Sequence, residues 1–454
     1  MAQHSVELNR LCARAINEDA RPRHVIDNTS EPRAPAAEFS LPPADTGKQA
    51  WLFLAACWVV EAVTFGFGFS FGVFQDYYTN HEPFAGSGGI AAIGTTTTGA
   101  MYIGTPFVVA LCRLYPRQAR WFTLAGLFIT SLALAMSSFC TTVPQLIVTQ
   151  GFMYGIGGCF AYCPCTPYID EWFVRRKGLA YGILWSAAGA GGVVLPVVLE
   201  SLLGNFGFQT AARICAGILF ISAAPLAFFI KPRLPISAVS HNRPFNLRFV
   251  TSKLFILHQL ANIIQGTGYF LPGIYLPTYA RTAFGASAFM SALTVMLVNI
   301  ATTIGMMVMG YLSDKLAVTT CAIISATGAA VSVLLLWGLS ASLPLLYVFC
   351  ILYGLFGGSW ASIWPGIMRD VSQRDGSEGY QYADPVMVHG QLCVGRGLGN
   401  IIAGPLSDSL IRGMPWQGKA LGGYGSGYGI LILYTGLTGL ISGINFLLKH
   451  LSLL

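Results

Sequence analysis

The sequence predicts an all-α membrane protein, with twelve transmembrane helices arranged in two pseudo-symmetric six-helix halves. Three observations lead there. Hydrophobic residues make up 54% of the chain and charged residues 10%, with a mean hydropathy of +0.60, which is more apolar than a soluble core requires. Twelve apolar stretches, each about the 20 residues that a bilayer core demands of a helix, run from Trp51 to Leu448. The polar breaks between them collect Lys and Arg on alternate sides. Backbone groups in lipid must pair within a helix or around a closed barrel. The period-2 alternation of barrel strands is absent, so the spans are helices.

A polar tail, 1–50, rich in Pro, Arg and acidic residues and without apolar periodicity, is expected to be disordered and cytosolic. It lacks the charged-then-apolar pattern of a cleavable signal, which leaves the first span as an uncleaved start of insertion. The N-terminal half, 51–230, holds spans at 51–74, 88–111, 121–142, 145–168, 178–203 and 208–230. A basic break at 231–253, the longest on its side and near the midpoint of the helical region, reads as a cytosolic linker. The C-terminal half, 254–454, holds spans at 254–279, 287–310, 318–340, 344–367, 387–409 and 425–448. An internal echo supports the division: YGIGG at Tyr154 in the fourth span recurs as YGLFGG at Tyr353 in the tenth, and Gly104 before the second-to-third break is matched by Gly305 before the eighth-to-ninth. Parallel halves around a central site are a transporter architecture.

Loop charge sets the orientation. With the N-terminus in the cytosol, inner breaks hold Arg113, Arg117 and Arg120, then Arg175, Arg176 and Lys177, then Lys231, Arg233, Arg243, Arg248 and Lys253, with Lys315, Arg369 and Arg374 later. Outer breaks offer Arg281, Arg412 and Lys419, so both termini are expected inside. The net charge of +7 is then a topology signal rather than an anionic-lipid or nucleic-acid patch.

A charge at the bilayer centre costs at least about 2.5–3.5 kcal/mol, so a midspan ionisable residue is a functional hypothesis by default. Glu61, in the first span, and Arg396, in the GRGLGN run of the eleventh, sit at comparable depth. They are candidates for proton coupling and for holding an anionic group, or they pair with each other or with backbone carbonyls as structural contacts. Helical spacing adds polar and aromatic stripes: Glu61, Thr64, Gly68, Gly72 and Gln75 on the first span, and Gln150, Tyr154, Gly158 and Cys165 on the fourth. Asn262, Gln265 and Tyr269 share a face of the seventh, and Tyr353, Gly357, Trp360 and Trp364 a face of the tenth. These either line a cavity or serve packing and the lipid belt, and Trp360 lies too deep for a belt.

Other chemistry finds little footing. The histidines, His4, His24, His81, His241, His258, His389 and His450, are scattered, and Cys159, Cys163 and Cys165 on an apolar helix read as small packing residues, so neither a metal site nor a cofactor is expected. The outer loops are almost free of Cys, which argues against a disulfide framework, and the sequon at Asn28 falls on the cytosolic tail. GxG pieces inside spans follow no strand, and GMPWQGK at Gly413 lacks the hydroxyl residue of a phosphate loop. The Gly151/Gly155, Gly354/Gly358 and Gly395/Gly399 spacings read as contacts within one bundle, so a monomer is expected.

Four blocks, SFGVFQDYY (Ser70 to Tyr78), YGIGGCFAYCPCTPYIDEWFVRRKGLAYG (Tyr154 to Gly182), QGTGYFLPGIYLPTYA (Gln265 to Ala280) and VGRGLGNIIAGPLSD (Val394 to Asp408), resemble the fungal branch of the monocarboxylate-porter family within the major facilitator superfamily. The resemblance implies the major facilitator fold, rocker-switch alternating access, often proton coupling, and a plasma-membrane address. It also implies that the first, fourth, seventh and tenth helices line the central cavity. The substrate-binding candidates are then Arg396, Asn262, Gln265, Tyr269, Tyr353, Trp360, Trp364 and Tyr154, with Glu61 as the proton carrier. The GYLSDK run resembles a shortened form of the superfamily's gating motif, and Asp170, Glu171, Arg175, Arg176, Asp314 and Lys315 are expected to form salt-bridge latches that stabilise the outward-facing state, or else simply to anchor the positive inner side. The departures matter equally: Asp45-Thr46-Gly47-Lys48 is a remnant of the family's acidic lead, and Phe69, Thr302 and Met306 fall where mammalian members carry charges. Lactate or pyruvate is therefore not carried over.

The expected function is secondary transport of a small organic solute, an organic anion or metabolite, across a bilayer, without nucleic-acid partners. Export of a fungal secondary metabolite is the alternative. A transporter-fold nutrient sensor and a polytopic enzyme are the readings from other classes.

Overall fold

A computed structural model describes residues 42–234, 247–377, 383–445 and 447, the side chains of 374–377 excepted. Among the described residues there are helices and turns and no strand. The expected disordered tail lies outside them as far as Leu41, as do Asn28, His4, His24, His241, His450, Arg243 and the 235–246 part of the linker; the side chain of Arg374 does too. Residues 42–50, expected in that tail, are instead fixed in place, with a helix beginning at Lys48.

Helices α1 (Lys48–Phe69) and α2 (Phe71–Asn80) form one column, interrupted at Ser70, whose hydroxyl donates to the Gly66 carbonyl at 2.7 Å. Next come α3 (Ala91–Leu114) and α4 (Pro116–Ser137), the latter opened by a proline where no amide donor is needed. A π turn, Ile147–Met153, leads into α5 (Tyr154–Tyr162) and α6 (Cys165–Trp172). The long α7 (Lys177–Ala223) contains two columns: Gly207, at φ 70, breaks it in a conformation that a side chain would strain.

Beyond the linker, α8 (Lys253–Tyr269) starts on the Ser252 side chain, which accepts from the Phe255 amide, and breaks at Phe270 into α9 (Leu271–Phe284). The breaks at Ser70 and Phe270 stand in equivalent columns. Then follow α10 (Ala288–Ser313), α11 (Val318–Val331), α12 (Leu343–Phe356), a 3-10 turn at Gly358–Ile363, α13 (Trp364–Ser377), α14 (Pro385–Ile411) and α15 (Gly429–Ile441). Seven described stretches are long and apolar enough to cross a membrane, and one of them, Lys177–Phe229, is the stretch that Gly207 divides. The columns α3, α8 with α9, α14 and α15 occupy the positions of the remaining expected spans. The outer faces carry exposed Phe107, Ile221 and Phe289, as lipid-facing surfaces should.

Helices before residue 231 pack on those after 253 along two seams. On one, α7 meets α10 so closely that a β-carbon on Gly182 would come within 3.2 Å of the Gly310 Cα; on the other, a β-carbon on Gly397 of α14 would approach the Gly99 carbonyl of α3 to 2.8 Å. The echoed tyrosines make echoed contacts. The Tyr154 hydroxyl donates to the Thr64 carbonyl of α1, and the Tyr353 hydroxyl to the Tyr269 carbonyl of α8, each at 2.9 Å.

Candidate functional site

The site is built around one cation. Arg396 lies twelve residues into α14 and is 3% exposed, with its guanidinium 4.2 Å over the Tyr269 ring and 5.6 Å from that of Phe270. Its Nε and Nη1 have no hydrogen-bond partner. A buried guanidinium without a carboxylate is costly, and a ring face offsets part of that, about 2 kcal/mol when desolvated. The remaining donors are available to an anion. Beside it lies a cavity of about 30 Å³ walled by Phe69, Gly72, Tyr269, Phe270, Asn299 and Tyr353. That holds a water or two.

Glu61, on α1, is also 3% exposed, and its Oε2 has no partner. No ion pair joins it to Arg396. Instead Tyr102 of α3 lies within electrostatic reach of both, and the Cys165 thiol of α6 is a neighbour of the carboxyl. The structural pairing considered for these two residues is thus not formed.

The other candidates separate. Tyr269 and Tyr353 line the cavity, their rings stacked at 6.5 Å. Gln265, one turn before Tyr269, is buried with its Oε1 unpartnered. Asn262 donates to the Leu392 carbonyl of α14 at 2.7 Å, a bond between helices, while its Oδ1 remains free. Tyr154 is fully buried against Phe67, at 4.8 Å, and serves α1 packing.

Trp360 and Trp364 lie off the cavity wall, buried in the apolar core. The reason is local: the segment between α12 and α13 winds as a 3-10 turn, with three residues per turn rather than 3.6, so the stripe counted from Tyr353 rotates away. Trp364 instead joins an aromatic cluster, where His389 stacks on Trp185 at 5.5 Å and accepts from or donates to the Tyr162 hydroxyl at 3.1 Å.

Both ends of the bundle are latched. At the basic end, Asp314 of the α10 terminus accepts from the Gly178 and Leu179 amides at 3.0 and 3.1 Å, capping α7 from across the seam. Arg113 pairs with Asp384, whose other oxygen accepts from the Val386 amide at 3.1 Å and so caps α14. At the opposite end, Arg281 of α9 reaches Asp76 of α2 at 3.0 Å and Glu200 of α7 at 3.9 Å.

The remaining expected latch residues act locally. Asp170 pairs with Lys177 at 3.2 Å, and Glu171 accepts from the Arg233 and Leu234 amides, fastening the start of the linker. The Arg175 and Arg176 side chains are exposed and form no ion pair among those described; their backbone amides, with that of Val174, donate to Asp45. Lys315 lies 4.6 Å over the Tyr311 ring rather than on an acid.

Tyr102, Asn299, Phe270 and the latch acids Asp384, Asp76 and Glu200 were not singled out by sequence. Phe69 was noted for the charge it replaces.

A model of the Major Facilitator Superfamily matches residues 54–378. Among curated proteins, the chain is 28% identical over 337 residues to a protein named MFS transporter asaE of Aspergillus flavus, covering 73% of this chain and 74% of that one. It is 30% identical over 276 residues to the MFS-type transporter pytF of Aspergillus terreus, 60% of this chain and 92% of the relative. It is 28% identical over 349 residues, 75% and 68% of the two chains, to the aspyridones efflux protein apdF of Emericella nidulans.

Proposed function

The chain belongs to the Major Facilitator Superfamily, and from that premise we propose that it exports a fungal secondary metabolite with an apolar body and an anionic group, by proton-coupled alternating access. The observation that carries the substrate class is Arg396: a buried guanidinium with two unpartnered donor atoms, set against an aromatic wall. Cargo with a carboxylate or enolate would complete its hydrogen bonds, and the cargo's apolar part would rest on Phe69, Tyr269 and Phe270. A relative named for efflux of aspyridones supports the direction of transport.

The cavity is far below the 300 Å³ or so that a metabolite needs, and latches close both ends, which supports an occluded state between two open ones. In this reading the basic end faces the cytosol at the plasma membrane. Release of the Asp314 cap and the Arg113–Asp384 pair admits cargo, and release of Arg281 from Asp76 and Glu200 discharges it. Glu61 carries the counter-moving proton, and Gln265, Tyr269, Tyr353 and Arg396 hold the cargo. Transport by a single chain needs no cofactor.

The test is flux in proteoliposomes. Candidate organic acids should be moved against a gradient when a proton gradient is imposed, and dissipating that gradient should stop accumulation. Binding without any flux would favour the sensor reading instead; accumulation in the inward sense would favour uptake.

A further inference from the structure

At the basic end, the second and third turns of α4 and the segment around the Leu226–Phe229 turn leave an open groove of about 350 Å³ on the outer face of the bundle. Arg120 and Lys231 stand at its rim, both exposed. Neither has an acidic side chain within ion-pair distance among the described residues. The Arg120 guanidinium lies 5.2 Å over the Trp121 ring, a contact that leaves its N–H donors free, and Phe228 meets Trp121 edge-on at 6.4 Å. The groove continues as an apolar seam away from the cations: Leu124 follows one turn on, and Phe128 then meets Phe220 at 6.4 Å. From Arg120 to Phe128 the helix rises roughly 12 Å.

We propose that this groove binds an anionic glycerophospholipid, with the phosphate-bearing headgroup on Arg120 and Lys231 and one acyl chain along Leu124, Phe128 and Phe220. Two features select a lipid. The charge is positive and unopposed at one end only, as an anionic headgroup requires, and the wall behind it is apolar for two turns on a face that the bilayer covers. A free phosphate would find the cations but gain nothing from the wall. Trp121, half exposed at the rim, marks the headgroup level. The net positive charge at this end thus serves a site as well as topology. The inference goes beyond the transport reading and does not depend on it.

The test is native mass spectrometry of the full chain purified with phosphatidylserine and phosphatidylcholine in equal amounts. The natural protein should retain phosphatidylserine preferentially. Each of Arg120→Gln and Lys231→Gln should weaken that retention roughly fivefold, and the double variant should lose the preference, while Lys253→Gln, another exposed cation at the same end, should keep it. Equal retention of the two lipids, or a preference that survives the double variant with an unchanged melting temperature, overturns the proposal. So does displacement of the lipid by soluble glycerophosphoserine, because it would assign the site to a headgroup alone.

Discussion

The guanidinium of Arg396, on α14, lies 4.2 Å above the ring of Tyr269, on α8, and two of its nitrogens have no partner. The ring stabilises the positive charge without consuming its hydrogen bonds, which leaves a cation both tolerated and available in the middle of the bundle.

Arg396→Ala should nearly abolish flux at normal surface expression. Arg396→Lys keeps the charge but loses the planar fork of donors, so it should reduce flux at least about tenfold. Flux per transporter in proteoliposomes checks both. Near-natural rates in the alanine variant would remove Arg396 from the site.

Glu61→Gln mimics the protonated carboxyl. Accumulation driven by the proton gradient should be lost while exchange of cargo across a symmetric membrane persists. In the natural protein, acidifying the side opposite the basic end should drive export, because proton entry there loads Glu61; in Glu61→Gln that response should be flat. An unchanged pH response in the variant assigns coupling to another group.

The two latches should act in opposite directions. Asp314→Ala removes the cap on α7, worth about 1 kcal/mol, and should shift the population roughly fivefold toward states open at the basic end. Arg281→Ala should shift it the other way. Labelling of buried Cys393 by an impermeant maleimide added at the basic face reports both, rising in the first variant and falling in the second.

Trp360→Ala should cost stability, about 3–5 kcal/mol for an emptied core site, without reordering a size series of competing cargoes. Tyr269→Ala should reorder that series, with aromatic cargo losing most. A reordering by Trp360→Ala would return this residue to the cavity wall.

Much of the bundle was legible because membrane burial writes itself into local sequence. Apolar length and Lys/Arg placement locate the spans, and the cost of midspan charge singles out Glu61 and Arg396. The tyrosines of the YGIGG and YGLFGG runs make the same kind of hydrogen bond, each to a backbone carbonyl of a neighbouring helix. Helical stripes were less secure. The one through Trp360 assumed an unbroken 3.6-residue period, and a single 3-10 turn moved it into the core.

By itself, then, the sequence determined what depends on neighbours along the chain: the all-helical fold, which stretches are apolar, which end is basic, and which buried charges demand an explanation. Tertiary structure alone decided which groups meet. Arg113 meets Asp384, at the start of a helix far along the chain, and Asp314 caps the α7 amides in place of a salt bridge. Arg396 found the face of Tyr269 rather than the carboxylate of Glu61. Periodicity fixes the direction of a side chain on its own helix, but its partner depends on how closely two distant helices approach, and that distance is set by facing glycines such as Gly182 and Gly310, whose meeting no local pattern encodes.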